Sequence, residues 1–318
     1  MRTTQRERLP QAADNRTGTA SGSGSGSGPA SPGDVRRHRK LPASLVTSIV
    51  VICGLILAAV FAPLIAPDNP LAQNLGHTMA APSWSHLLGT DYYGRDVLSR
   101  LLWGGRSAFL GVLISLGVGL GLGVPWGLAA GYWPRWTGTV LMRVADTLLA
   151  FPALVLAVVI TGILGPNLVT SMTSVGVVFA PVLARLTRVG VLEVREREYV
   201  LSARMSGCSK GVILIRHVIP AALGPVVVQA TIFAGIAFII EGGLSFLGLG
   251  VQPPAPSWGG DLALAYQYIL SSPGQVVAPG LLIAIVVLCV YRIGDSLRAR
   301  LDTQQLTDRA PETAGIIS

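Results

Sequence analysis

Charge is scarce in this chain. Only 13% of its 318 residues are Asp, Glu, Lys or Arg, against roughly 25% in soluble domains. Two of the 24 basic residues are lysines, Lys40 and Lys210, and neither follows a glycine, which excludes a G-x-x-x-x-G-K-[ST] phosphate loop. The three cysteines (Cys53, Cys208, Cys289) have neither redox nor metal-ligand spacing. The four histidines (His38, His77, His86, His217) are equally dispersed, so no metal cluster is expected. Aromatic residues make up 6%, with no basic-aromatic interleaving, which argues against nucleic acid as a partner of this +8 chain. No paired carboxylates and no Ser-His-Asp set can be assembled, and Asp261 and His86 read as isolated loop residues. The chain is therefore not expected to be an enzyme.

What the chain has is apolar length. Hydrophobic residues make up 51% and the mean hydropathy is +0.58. A spanning helix needs about 20 mostly apolar residues. Six runs meet or approach this, at about 44–66, 107–131, 144–164, 167–186, 222–242 and 275–293. The third and fourth are joined only by Gly165-Pro166, which makes them a helical hairpin. The expected fold is all-α, a polytopic membrane protein with six transmembrane helices. Residues 1–43, with a Ser-Gly run from Ser21 to Gly28, are too polar to order themselves. They read as a disordered cytoplasmic tail and not as a signal peptide.

Charge placement orients the spans. With the N-terminal tail inside, 21 of 24 basic residues fall on the inner side, and only Arg95, Arg100 and Arg106 fall outside. The positive-inside rule selects this arrangement, with both termini cytoplasmic.

Within the second run, Ser107, Gly111, Ser115, Gly119, Gly123, Gly127 and Gly131 recur every four residues. Small residues on one face let helices approach closely in lipid, either within this bundle or against a second membrane subunit. Arg143 and Asp146 are spaced for a helical pair. Glu241 ends an apolar run, where it either lines a passage or sits at the outer water interface. Residues 242–275, with Gln252, Pro253, Pro254 and Trp258, form either a re-entrant gate element or an external loop. An amphipathic run within Asp91–Arg106 reads as lying along the outer membrane surface.

The segment Arg195–Pro220 is the most polar between apolar runs, and a charge at membrane depth costs several kcal/mol. It therefore lies in water, on the inner side. Tyr199, Val200, Ala203, Met205 and Ser206 suit a short helix, which Gly207 interrupts through a positive φ or a close approach. Ser209 caps a second helix carrying Val212, Ile213, Ile215, Arg216, His217 and Val218, and Pro220 ends it.

These residues resemble the EAA loop of ATP-binding-cassette importer permeases. Leu201-Ser202-Ala203 stands at the Glu-Ala-Ala positions, Gly207 at the glycine and Val218-Ile219-Pro220 at the ending. A leucine thus replaces the family glutamate, with Glu198 one turn earlier. EREYVLSARMSGCS and IRHVIP resemble the C-type permease of dipeptide, oligopeptide and nickel importers. So do LLGTDYYGRDVLSRLLWGGRSAFLGV (87–112), RVADTLLAFPALVLA (143–157) and EGGLSFLGLGVQPPAPSWGG (241–260).

The resemblance covers about Leu45–Asp302 and implies the type I importer permease fold. It divides the chain into tail 1–43, first span and external segment 44–106, permease core 107–302 with coupling loop 187–221, and cytoplasmic tail 303–318. It implies a coupling role for Glu198, Tyr199, Ala203, Arg204, Gly207, Arg216, His217 and Pro220. It also implies a second homologous permease, two ATPase subunits that bind ATP and Mg, an external solute-binding protein and a prokaryotic cell membrane. Cargo would be peptides, or in the same architecture nickel chelates or another small solute. A proton-coupled or passive transporter and a non-transporting scaffold are the readings from other classes.

Overall fold

The computed structural model describes residues 43–133 and 135–313. The apolar runs fold as helices because, in lipid, each backbone N–H must find a partner within its own segment. In chain order these are α1 (Ala43–Val60), α2 (Ala62–Ile65), α3 (Val97–Tyr132), α4 (Arg135–Leu149), α5 (Ala153–Leu164), α6 (Leu168–Val194) and α7 (Glu198–Met205). They continue as α8 (Lys210–Ile213), α9 (Ile219–Ala222), α10 (Gly224–Phe246), α11 (Trp258–Gln267) and α12 (Gly274–Thr313). A five-residue π-turn, Leu214–Val218, joins α8 to α9. Apart from one isolated bridge between Thr90 and Asp96, the described residues hold no strand.

Five helices (α1, α3, α6, α10 and residues 274–300 of α12) are long and apolar enough to cross a membrane singly. The third expected span, 144–164, is broken instead of continuous. Its two halves, α4 and α5, meet at a 90° bend beside Pro152, which cannot donate to a continuing helix. α5 has 12 residues, about 18 Å of helix, so the pair is needed for one crossing. The hairpin after it stands as expected: Gly165 turns at φ +95° and Asn167 caps α6 by accepting from the Thr170 N–H at 2.9 Å.

Other boundaries move for local reasons. α1 stops at Val60, before Pro63, where the expected span continued to 66. α3 begins ten residues earlier than expected, at Val97, because Asp96 caps it by accepting from the Ser99 N–H at 2.7 Å. Its 36 residues make about 54 Å of helix, well beyond a hydrocarbon core of about 30 Å. The amphipathic stretch expected along the membrane surface is thus the first turns of this span. α12 continues past 293 and across the expected 302/303 boundary to Thr313. The tail expected at 1–43 lies outside the described residues but for Ala43, as do residues 314–318.

The glycine stripe organises the bundle. A Cβ on Gly123 would sit 2.7 Å from the Ala180 carbonyl oxygen and 2.7 Å from Leu183 Cβ. On the facing helix, a Cβ on Gly176 would sit 2.6 Å from the Ser115 oxygen. Gly119 meets Gly176 and Phe179, and Gly127 meets Ala184 and Thr187. Contacts therefore advance together along both helices, and α3 and α6 run parallel with their backbones nearly touching. The stripe packs inside this chain.

Parallel packing requires that α4–α5 carry the chain back across once. α10 then runs antiparallel to α6, since Gly190 faces Ala222 while Glu241 faces Gly111. α12 runs antiparallel to α10, with Gly242 near Ile283 and Gly294 near Thr231. α1 reaches the Gly105 level at Ala59. The start of α1, the end of α3, α7 and residue 294 of α12 therefore share one end of the bundle. Buried Met172, Val175, Phe179, Leu183, Phe233, Phe238, Leu244 and Val286 fill its centre, where the Phe179 and Phe233 rings stack at 4.2 Å. Asp146 pairs with Arg185 of α6 at 2.5 Å and not with Arg143, because the cross-helix partner lies within its reach.

Gly123→Ala should destabilise the purified transporter by about 1–3 kcal/mol, since overpacking forces a backbone shift. Gly121→Ala, whose Cβ meets nothing within 4 Å, should be neutral or slightly stabilising. Thermal unfolding of the two variants side by side checks this, and equal losses would refute the close-contact argument.

Candidate functional sites at the two ends of the bundle

At the α7 end, α6 outlasts its apolar run and ends at Arg195, whose N–H bonds to the Val191 oxygen. α7 follows within three residues. Its Val200 is fully buried in a cluster with Val191, Val194, Ile213, Val218 and Ala222, and Ala203 packs against the same cluster. The opposite face is bare: Tyr199 is 44% exposed, Leu201 45% and Met205 90%. Glu198 and Arg204 are exposed at the two ends of the helix.

Gly207 closes α7 at φ +79° with open space around it. The Gly207 N–H bonds to the Arg204 oxygen and the Cys208 N–H to the Ala203 oxygen. This is the paired-bond αL cap in which glycine avoids the penalty of a Cβ. The glycine is required by conformation and not by close approach.

Beyond it, Ser209 Oγ accepts from the Val212 N–H at 3.4 Å. Pro220 does not end the helix that follows. The π-turn before it widens the ladder, with the Ile219 N–H reaching back to Leu214. Pro220 then enters the first turn of α9, where a missing N–H costs nothing. The turn also rotates the side chains: Ile213 and Val218 are buried, while Val212, Ile215 and Arg216 face out. The His217 ring lies 6.3 Å from that of Tyr199.

At the opposite end, one guanidinium ties four chain segments together. Arg100 donates from Nε to Asp261 Oδ1 at 2.8 Å and from Nη2 to the same oxygen at 2.5 Å. Its Nη1 reaches the Pro70 carbonyl at 3.1 Å and the Pro254 carbonyl at 3.3 Å. Asp91 accepts from Arg95 Nε at 2.6 Å and lies 3.9 Å from Arg100. Arg95 and Arg100 are each only 5% exposed, so they turn inward and are not on a membrane-surface face. Asp261, expected as a loop residue, is a partly buried member of α11. Burial pushes its carboxyl above the ordinary value, opposed by Arg100.

Trp258 is buried and donates from Nε1 to the Leu101 oxygen at 2.8 Å. Residues 242–275 therefore fold back on α3 and are not a free external loop. Gln252 is exposed and holds its turn through the Gly248 and Gly250 oxygens. Glu241 is 2% exposed, against Gly111 of α3, and accepts from Ser245 Oγ at 2.9 Å. That enclosure is not the outer water interface. His86, also expected as an isolated loop residue, hydrogen-bonds Asp96 at 3.1 Å and lies 3.6 Å from Asp68. It clips the 66–96 segment to the start of α3.

The family described as binding-protein-dependent transport system inner membrane component matches residues 123–303, more than half of the chain. The chain belongs to this family of ABC importer permeases. A second match, to the N-terminal TM domain of oligopeptide transport permease C, covers residues 36–82.

Relatives of this permease include the dipeptide transport system permease protein DppC of Alkalihalophilus pseudofirmus. It is 38% identical over 257 residues, covering 81% of this chain and 84% of the relative. The di/tripeptide transport system permease protein DppC of Pseudomonas aeruginosa is 41% identical, covering 78% and 84%. The glutathione transport system permease protein GsiD of Pectobacterium atrosepticum is 38% identical, covering 70% and 73%. An inward-facing structure of the MetNI methionine ABC transporter shares the fold, with a TM-score of 0.52 and 20% identity over 63% of this chain and 95% of that chain. Permeases of this family are transporter membrane subunits, not catalysts, and work with other permease, ATPase and binding-protein subunits.

Removing one member of a buried ion pair strands the other. Arg100→Met should cost about 3–5 kcal/mol, and Arg100→Met/Asp261→Leu should recover much of that loss. A double-mutant cycle on thermal unfolding measures it, and additive single losses would show that the pair is not coupled.

Proposed function

We propose that this permease forms half of the membrane passage of an ATP-driven peptide importer, with α7 as the element that a cytoplasmic ATPase grips. The observation that carries the reading is the two-sided character of α7. Val200 anchors one face in a valine cluster, while Tyr199, Leu201 and Met205 leave the other apolar and bare. A short helix with an exposed apolar face, capped by a conformationally required glycine, is suited to a cleft on a partner. The leucine at the family's glutamate position makes that contact apolar at Leu201. Glu198, Arg204, Arg216, His217 and Pro220 frame the same surface, while Ala203 backs it from the buried side.

In this reading a second homologous permease completes the passage as a heterodimer. Two ATPase subunits bind ATP and Mg, and an external solute-binding protein delivers cargo. The relatives named for dipeptides, di/tripeptides and glutathione support peptides as the cargo class; nickel chelates are the second reading within the same architecture. The protein lies in a prokaryotic cell membrane. The excess of basic residues at the α7 end supports placing that end, and both termini, in the cytoplasm. Closure of the ATPases on ATP would shift α7 and alternate the access of the passage.

Gly207→Val should strain the cap by about 1–2 kcal/mol and uncouple the complex, so that ATP is hydrolysed with severalfold less peptide uptake per turnover. Uptake and hydrolysis measured together in proteoliposomes check this, and an unchanged ratio would remove α7 from the coupling step. Uptake that persists without the ATPases would instead favour a proton-coupled transporter. Orientation is tested at the exposed Cys208, in a Cys53→Ser/Cys289→Ser background. A membrane-impermeant maleimide should label it in inside-out vesicles and leave it untouched in right-side-out ones.

A further inference from the structure

A cavity of about 970 Å³ opens at the α7 end, between the end of α3, α4, the end of α6 and α7. Its lining includes Arg188, Arg195 and Arg204 together with Tyr132, Trp133 and Cys208. Three guanidiniums around one space repel one another, and cations near membrane depth are ordinarily paired. Among the described residues, none of the three forms an ion pair. Arg195 spends one N–H on the Gly131 carbonyl at 3.2 Å, and the buried Nε of Arg188 has no hydrogen-bond partner. The cavity thus gathers three guanidiniums and has no carboxylate in its lining.

We propose that this cavity binds the phosphodiester of an anionic membrane lipid. The chemistry fits, because guanidinium forks match phosphate oxygens two at a time and recognise them better than a point charge does. The position fits a lipid in place of a soluble anion. α3 leaves its apolar run here, and Tyr132 and the exposed Trp133 stand in the lining, where aromatic side chains mark a membrane–water interface. Basic pockets between spanning helices on the cytoplasmic side are sites for anionic headgroups, and the apolar lining of Ala130, Leu192 and Ile213 suits the top of an acyl chain. The inference rests on the cytoplasmic placement of α7 made above. A lipid seated there would bridge the spans to α7, so the membrane's anionic lipid content would influence how firmly α7 is held.

The test uses the complete transporter with Cys208 as its remaining thiol. In nanodiscs of phosphatidylglycerol, Cys208 should react with a soluble maleimide at least fivefold more slowly than in nanodiscs of phosphatidylcholine. After exchange into phosphatidylcholine, native mass spectrometry should find phosphatidylglycerol retained by the wild type and at least tenfold less by Arg188→Gln/Arg195→Gln. If that variant fails to assemble, the comparison of lipids on the otherwise unaltered protein still decides. Equal labelling in both lipids, protection by the ATPases regardless of lipid, or undiminished retention by the variant would overturn the site. Protection by millimolar inorganic phosphate in phosphatidylcholine nanodiscs, matching that by phosphatidylglycerol, would overturn the lipid as its occupant. Labelling of Cys208 from the outer face would instead sink the orientation, so the two failures are distinguishable.

Discussion

The near-contact of the α3 and α6 backbones is the constraint from which the rest of the bundle follows. Two parallel helices cannot be consecutive spans, so the chain between them has to return, and the bent pair α4–α5 does so. Water supplies no driving force between helices inside a bilayer, so their association depends on close packing. A four-residue period of small side chains on α3 faces Gly176, Ala180 and Ala184 on α6, which is the same period read from the other side. With this pair set, α10 and α12 add antiparallel layers, and α1 closes against the far end of α3. The long α6 then projects beyond its apolar run and delivers α7 to the end where both flanks of the chain lie.

A second constraint acts at the opposite end. The segment between α1 and α3 and the turn between α10 and α11 are both rich in proline and poor in repeating backbone bonds. They are held by side chains instead. Arg100 satisfies the carbonyls of Pro70 and Pro254 and the carboxylate of Asp261 at once, and Trp258 hydrogen-bonds to Leu101. Non-helical backbone near membrane depth must be satisfied by neighbouring protein. The inward-turned Arg100 provides that, with its own charge paired to Asp261.

Periodicity and apolar length made the spans, the glycine stripe and the hairpin at Gly165 legible in the sequence, because each depends on residues close together in the chain. The helix–glycine–helix order around Gly207 was legible for the same reason: Gly207 and its flanking helices form a local capping pattern. What stayed hidden depends on distance. Arg100 and Asp261 are 161 positions apart, and no spacing rule joins them, so Asp261 read as an isolated loop residue and Arg100 as the polar side of a surface run. Asp146 read as the partner of the nearest arginine in sequence when Arg185 was nearer in space. Proline misled in both directions: Pro152 breaks a span whose composition looked continuous, while Pro220 is absorbed by a π-turn that composition does not encode.

The mounting of α7 also limits how a push on it can spread. Val200 shares one buried cluster with Val191 and Val194 of α6 and with Val218 and Ala222 at the start of the run into α10. A partner that shifts α7 must therefore either empty that cluster or carry α6 and α10 with it. Emptying it exposes six apolar side chains, whereas moving the helices together keeps them packed. α6 cannot travel far from α3 without opening the backbone contact at Gly123 and Gly176, so the rigid unit includes α3. Bent α4–α5 has no continuous ladder through Pro152, and its close backbone contact, Gly138 against Ala130, sits beside the α3–α4 connection, so it is the element left to yield. Relative motion of α4–α5 against an α3–α6–α10 block is thus the mode that preserves the most packing.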